Sequence, residues 1–252
     1  SDQDDVFPLD AALTIDPNMI DFADIALGRS EMVYLNNDLK VWLDANQVHA
    51  NFAQISSGAT VKTWLDKSGK GNHAYSIGTS RMDSNQINFS KNNAFYIPHN
   101  GTLDFESYSV FIILKPDSLY TKWQGVFGRG EFNTGRNFNF WLNSSGYVNH
   151  SFHSNINVID GHISSSGLFN LGQNHLIYLS NSGSSSAIYS NGNLTNTYSS
   201  FSEIYSNTNV VNIGRNLDYT DTTSLGNLFH GNIAEILVFD RELHNLERIL
   251  IS

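Results

Sequence analysis

From residue 39 onward, short apolar or alternating runs are separated by clusters of Gly, Asn, Ser and Asp. Breaks of that kind roughly every dozen residues predict an all-β sandwich of strands bounded by turns. The predicted strands are Lys40–Leu43, Thr63–Leu65, Gln86–Phe89, Ala94–Ile97, Tyr108–Lys115, Gly125–Gly128, Phe138–Leu142, Tyr147–Phe152, His175–Leu179, Ala187–Ser190, Val210–Gly214 and Asn232–Phe239. The run Ser109–Leu114 is almost continuously apolar, which predicts a central strand covered on both faces. Ser190–Asn193 reads as a tight hairpin, because Asn-Gly accepts positive φ at both central positions.

Residues 1–34 follow a different pattern. Asp16-Pro17 joins an N-cap residue to a proline at the first helical position. Met19, Phe22, Ala23, Ala26 and Leu27 then fall on one helical face, and Gly28 supplies a stop. The chain therefore divides into an arm with a short amphipathic helix (1–34) and a sandwich (35–252). The arm either docks on its own domain or reaches a neighbouring subunit and serves assembly.

Composition narrows the function classes. The net charge is -10, with 14 Lys plus Arg against 24 Asp plus Glu. Without clustered cations, a nucleic-acid groove and an anionic membrane surface are both disfavoured. No stretch has the length of apolar sequence a membrane span needs, and no secretory leader pattern opens the chain. There are no cysteines, so disulfides contribute nothing to stability. Charged residues make up 15%, and neutral amides and hydroxyls supply the polarity, as is common in exterior β proteins.

Two motifs bracket the sandwich. The closing segment Gly231–Ser252 runs an apolar strand into a polar turn and a short amphipathic helix, with Gly231, Ile233, Glu235, Val238, Phe239, Asp240, Arg241, Leu243 and Glu247 at fixed spacing. The opening pairs Leu39–Ala45 (LKVWLDA) with Val61–Ala74 (VKTWLDKSGKGNHA). Together they resemble the laminin-G-like, concanavalin A-like lectin/glucanase jelly rolls. The resemblance implies a jelly-roll sandwich with a short C-terminal helix over most of the chain. In that helix Asn245 is expected to cap, with Leu246, Ile249 and Leu250 facing the sandwich. The fold alone does not settle activity, because lectins, hydrolases, lyases and adhesion modules share it.

Catalytic sets are sparse. Glycosidases of this fold place paired carboxylates on one strand, but Glu235 and Asp240 are an odd number apart and fall on opposite faces of an ideal strand. Gln47-Val48-His49 resembles a short alginate-lyase motif without its companion strand, and reads as a polar loop. No nucleophile triad or zinc motif is present. The loop Asp66–Asn72 has oxygen ligands and glycines in an order that suggests calcium, with Asp66 and Asn72 as ligands. Its simpler reading is a turn in which both side chains bond backbone amides. No other cofactor is expected.

Sugar recognition combines an aromatic platform with a few precise polar groups. Alternation in Phe138–Leu142 sends Phe138, Phe140 and Leu142 to one face and Asn139 with Trp141 to the other. Trp141 is thus a candidate platform, with Asn139, Arg129, Tyr147, Asp218 and Tyr219 as hydroxyl readers. The expected function is a non-catalytic exterior recognition module that binds a glycan or a surface protein. A structural protein of a virion or surface assembly is the alternative, and a polysaccharide lyase or hydrolase a distant third.

Overall fold

The computed structural model describes residues 37–48, 55–90, 92–119, 123–130, 135–155, 158–163, 169–199, 207–215 and 227–251. The N-terminal arm and its expected helix lie outside the described residues, as do Asp218 and Tyr219.

The described chain is mostly antiparallel β-structure. Its strands are β1 (Leu39–Asp44), β2 (Thr60–Trp64), β3 (Ala74–Asp83), β4 (Gln86–Phe89), β5 (Asn93–Ile97), β6 (Tyr108–Pro116), β7 (Trp123–Arg129), β8 (Phe138–Asn143), β9 (Val148–Asn155), β10 (Val158–Ile163), β11 (His175–Asn181), β12 (Ser185–Ser190), β13 (Asn193–Ser199), β14 (Val211–Ile213) and β15 (Gly231–Phe239), followed by helix α1 (Asn245–Ile251). Hydrogen bonding links them in the order β10-β9-β8-β7-β14-β5-β3-β4-β15-β6-β11-β12-β13, with β1 on β15 and β2 on β3. The sheet curls until β10 comes alongside β13. Its inward faces then enclose one large core that includes Trp64, Phe89, Phe95, Phe138, Phe140, Ile177 and Ile236.

The apolar run in β6 occupies the centre, between β15 and β11. Val110, Ile112 and Leu114 point into the large core. Phe111 and Ile113 point outward, into a second cluster with Leu39, Leu176, Tyr178, Leu237, Phe239, Leu243 and Ile251. Both faces are therefore dry, as a continuous apolar strand requires. The Asn191-Gly192 turn joins β12 to β13 with φ of 49° and 78°, the left-handed geometry such a two-residue hairpin needs.

Helix α1 lies over the outer cluster, and its packing differs from expectation. Arg248 and Ile251 are its buried residues. Leu246, Ile249 and Leu250 are 70%, 51% and 37% exposed. The cap differs too. His244 is the N-cap: its carbonyl accepts the Arg248 N–H at 3.0 Å, and its own N–H donates to Glu247 Oε2 at 2.8 Å. That is the reciprocal half of a capping box. Asn245 instead accepts from Arg248 Nη2 at 2.6 Å. Arg241 locks the turn before the helix by donating to both Glu247 oxygens, at 2.6 and 2.7 Å.

Candidate functional site

Strand alternation in β8 holds: Phe138, Phe140 and Leu142 join the large core, and Asn139 and Trp141 take the other face. That face is covered. Trp141 is 5% exposed, with Trp123 edge-on at 6.3 Å and the Arg136 guanidinium 5.5 Å from its ring. Trp141 is thus not the open platform that its position on the strand suggested.

Arg129 and Asn139 are likewise interior. Arg129 is 1% exposed. It donates to Asp104 Oδ1 at 2.5 Å, to the Leu103 carbonyl, to Asn137 Oδ1 at 3.0 Å and to the Asn207 carbonyl at 3.1 Å. Burial lowers the pKa of Arg129, and the Asp104 carboxylate opposes that shift. At Asp104, burial pushes the carboxyl up, but hydrogen bonds and charge from Arg129 and His99 outweigh it and hold the group below its ordinary value. Asn139 Nδ2 donates to the Gly130 carbonyl at 2.8 Å. Both side chains tie β7 and β8 to neighbouring loops, which fits a cross-brace rather than a sugar reader. Tyr147 sits half-buried in the β8–β9 turn, its N–H bonded to Asn143 Oδ1 at 3.0 Å.

The Asp66–Asn72 loop is a closed turn. Asp66 Oδ1 accepts from the N–H groups of Trp42 and Ser68, both at 2.9 Å. Oδ2 accepts from Ser68 Oγ at 2.7 Å and the Asn72 N–H at 2.9 Å. Asn72 Oδ1 accepts from Asn100 and Thr102. Oxygens so engaged favour the turn over a calcium loop, whose ion needs six or more free ligands. Among the described residues, no group of three or more His, Cys, Asp or Glu is placed to hold a metal ion. Glu235 and Asp240 are also separately committed. Glu235 is 4% exposed and accepts from Trp42 Nε1 at 2.6 Å. Asp240 pairs with Lys40 at 2.6 Å.

An unanticipated cleft lies on the opposite layer, where α1 crosses β11 and β12. It measures about 290 Å³ and is lined by Tyr178, Ser180, Tyr189, Glu242, Leu243, His244, Asn245 and Arg248. Register sets its floor. Tyr178 and Tyr189 are cross-strand partners, with ring centroids 5.4 Å apart. Arg248 spans both rings, 4.1 Å from Tyr189 and 6.0 Å from Tyr178. Tyr178 is 3% exposed, and its hydroxyl lies 3.0 Å from Ser109 Oγ, which in turn accepts the Leu243 N–H at 2.9 Å. Burial pushes the Tyr178 phenol up to about 12, with hydrogen bonds from Ser109 and Ser180 opposing. It stays protonated and neutral at ordinary pH. At the mouth, Glu242, His244 and Asn245 are exposed, and Glu242 Oε1 accepts from Ser180 Oγ at 3.2 Å. A half-buried aromatic, a carboxylate and an amide thus line a space near the lower end of small-ligand pockets, roughly 300 Å³, with Tyr178 and Arg248 buried in its floor. Sequence reading missed it because its walls come from β11, β12 and the chain's end, far apart in order. The signals available were the Tyr-Ser pattern in both strands and the polar helix face.

Residues 89–247 match the family described as the concanavalin A-like lectin/glucanases superfamily, laminin G type. The chain belongs to this superfamily. The match takes in both strands of the cleft and the closing motif as far as Glu247. No curated protein shows a significant match to the chain. Among solved structures, one concerns botulinum neurotoxin type C, described as dependent on interaction with two ganglioside molecules for its passage into cells; it is 14% identical over 87% of this chain and 52% of its own, with a TM-score of 0.62. A botulinum neurotoxin DC binding domain in complex with SialylT is 14% identical over 86% of this chain and 51% of its own, with a TM-score of 0.63. The same binding domain in complex with rat synaptotagmin II is 14% identical over 86% and 52%, with a TM-score of 0.58. At such identity the likeness is one of fold, and the chain spans about half the length of these structures. Among the described residues of this superfamily member, no helix is long and apolar enough to cross a membrane.

Proposed function

We propose that the domain is a non-catalytic recognition module that works outside the cell or on a particle surface and binds a neutral glycan residue in the cleft beneath α1. The observation that carries this reading is the small cleft at the end of α1, where Tyr189, Glu242 and Asn245 meet above the buried Tyr178 and Arg248. Sugars are bound by apolar ring surface together with amides and carboxylates that read hydroxyls. Membership of a superfamily that includes lectins supports glycan binding, as do fold neighbours that bind a ganglioside and a sialyl ligand; those ligands are acidic, and the choice of a neutral sugar rests on the charge of this cleft alone.

Charge selects among glycans. Glu242 stands exposed at the mouth, and the whole chain carries a net charge of -10. Arg248 is stacked on Tyr189 and bonded to Asn245, so it is turned away from a ligand carboxylate. An acidic sugar meets a carboxylate first, whereas a neutral one offers hydroxyl donors to it. Calorimetric titration with neutral methyl glycosides and with sialyllactose tests this. Saturable binding of a neutral sugar, lost in Tyr189→Ala and Glu242→Ala, is expected. Tighter binding of sialyllactose, or no binding of any sugar, overturns the reading.

A further inference from the structure

The cleft opens through an apolar rim. Among the described residues six large apolar side chains are exposed, and four of them flank its mouth: Leu246, Ile249 and Leu250 on α1, and Leu194 on β13. Register places Leu194. It is the cross-strand partner of Tyr189, so the two side chains share a face. The helix places the rest. Asn245, which lines the mouth, and Ile249 stand four residues apart, as do Leu246 and Leu250, so these side chains lie along one side of α1. The opposite side is anchored by Arg248 and Ile251. Arg248 Nη1 also reaches the Gly192 carbonyl at 3.5 Å, which ties the β12–β13 turn to α1 and brings the two halves of the rim together.

Size and charge say what such a rim meets. Four side chains on and beside a helix about 10 Å long are too few for the roughly 800 Å² that each partner in a stable protein complex covers. A bilayer requires no complementary patch, and an amphipathic surface binds it in proportion to the apolar area it buries. Arg241 and Arg248, the two cations of the closing segment, are both engaged. Arg241 pairs with Asp38 and Glu247, and Arg248 lies on Tyr189. Glu242 is exposed at the mouth, and the chain carries a net charge of -10. The rim therefore has no cation to offer an anionic phospholipid, and it suits a zwitterionic surface.

The geometry points to a membrane-facing mouth: the domain docks on a zwitterionic bilayer with Leu194, Leu246, Ile249 and Leu250 seated among the headgroups, and takes its sugar from a neutral glycolipid of that bilayer. The sugar half of this rests on the neutral-glycan reading of the cleft. A small apolar rim and a small cleft are each weak anchors, and stable attachment takes two signals. Once one is engaged, the other binds as if intramolecular.

Sedimentation of the full chain with vesicles tests this. The probes are phosphatidylcholine vesicles carrying glucosyl-, galactosyl- or lactosylceramide, beside the matching methyl glycosides in calorimetry. One glycolipid should be bound about a hundredfold tighter than its methyl glycoside, and added phosphatidylserine should weaken that binding. Leu246 is 70% exposed and outside the cleft lining. Leu246→Asp should weaken vesicle binding about tenfold and leave methyl glycoside affinity unchanged, whereas Tyr189→Ala should lose both. Vesicle binding no tighter than glycoside binding, or unchanged in Leu246→Asp, overturns the membrane dock while the cleft reading stands. Equal binding to plain phosphatidylcholine overturns the glycolipid. Binding of no methyl glycoside and no vesicle sinks both readings. A dimer in lipid-free solution that Leu246→Asp dissociates overturns the dock in favour of a second copy.

Discussion

Arg248 of the last helix lies 4.1 Å above the ring of Tyr189, which stands opposite Tyr178 in the β11–β12 register. One guanidinium thereby seats α1 on the sheet and shapes the wall of the cleft. Replacing it by alanine removes the cation–π contact, about 0.5–2 kcal/mol, and the packing of its stem. Arg248→Ala should lower the melting temperature by a few degrees, about 2–4 °C per kcal/mol at this chain length, and should abolish glycan binding. Differential scanning calorimetry beside the glycoside titration checks both.

Arg129 is expected to be far more costly to remove. Without it, the Leu103 and Asn137 oxygens lose their donor, and the partly exposed Asp104 keeps only its contact with His99. Leaving buried acceptors without a donor typically costs about 1–3 kcal/mol each. Arg129→Met should therefore show a large fall in denaturation midpoint, while a glycan bound in the remote cleft keeps its affinity in whatever fraction remains folded. A small stability change would exclude the cross-brace role.

Acid should destabilise the domain in two stages. Burial lowers the pKa of His175, against an opposing Asn170 backbone hydrogen bond, and its Nδ1 is buried without a hydrogen-bond partner. A histidine with a depressed folded value contributes stability above its unfolded pKa of about 6.5, and this is lost as pH falls toward the folded value. Asp104 is also depressed, so its contribution is present above about 3.9 and lost below. Melting temperatures from pH 8 to pH 3 should decline in both windows, and His175→Gln should flatten the first alone.

The strand end at Gly214 leaves no room for a side chain. Its φ is +75°, and a Cβ there would stand 2.0 Å from the Phe89 ring, itself in the large core. Gly214→Ala should cost at least about 2 kcal/mol from strain and overpacking together. By contrast, Gly192→Ala, with positive φ but nothing within 4 Å, should cost about 1 kcal/mol. Urea unfolding of the two variants measures the difference.

The Asp66 turn gives a test of the calcium reading. Both carboxylate oxygens already accept two hydrogen bonds each. Melting temperature should be the same in millimolar calcium and in chelator, while Asp66→Ala lowers it sharply by orphaning the N–H groups of Trp42 and Asn72. A rise with calcium that Asp66→Ala removes would restore the metal site.

Much of the sandwich was legible along the chain. Gln86–Phe89 has the predicted bounds, and the double burial of Ser109–Leu114 followed from its apolarity alone. Three strands escaped notice, β3, β10 and β13, and in two of them the burial pattern is weak. In β3 the alternation is broken at Gly78, whose positive φ brings it against the Asn92 carbonyl. β13 is a largely exposed edge strand with little apolar signal to read. Candidate binding residues fared differently, because alternation tells which face a side chain takes but not what covers that face. Trp141 and Asn139 took the face expected and were buried there.

Local pattern determined the class of fold, the hairpin at Asn191-Gly192, the central strand and the existence of a closing helix, because these rest on period, turn chemistry and short-range sterics. Only the tertiary structure decided which face of that helix is buried. A stripe of Leu246, Ile249 and Leu250 reads as inward by hydrophobicity. The Tyr178–Tyr189 pair on the sheet instead offers aromatic rings to a cation, and Arg248 takes the inner face. The cleft exists for the same reason: it is made by side chains from two strands and a helix that meet through packing, and no spacing along the chain encodes that meeting.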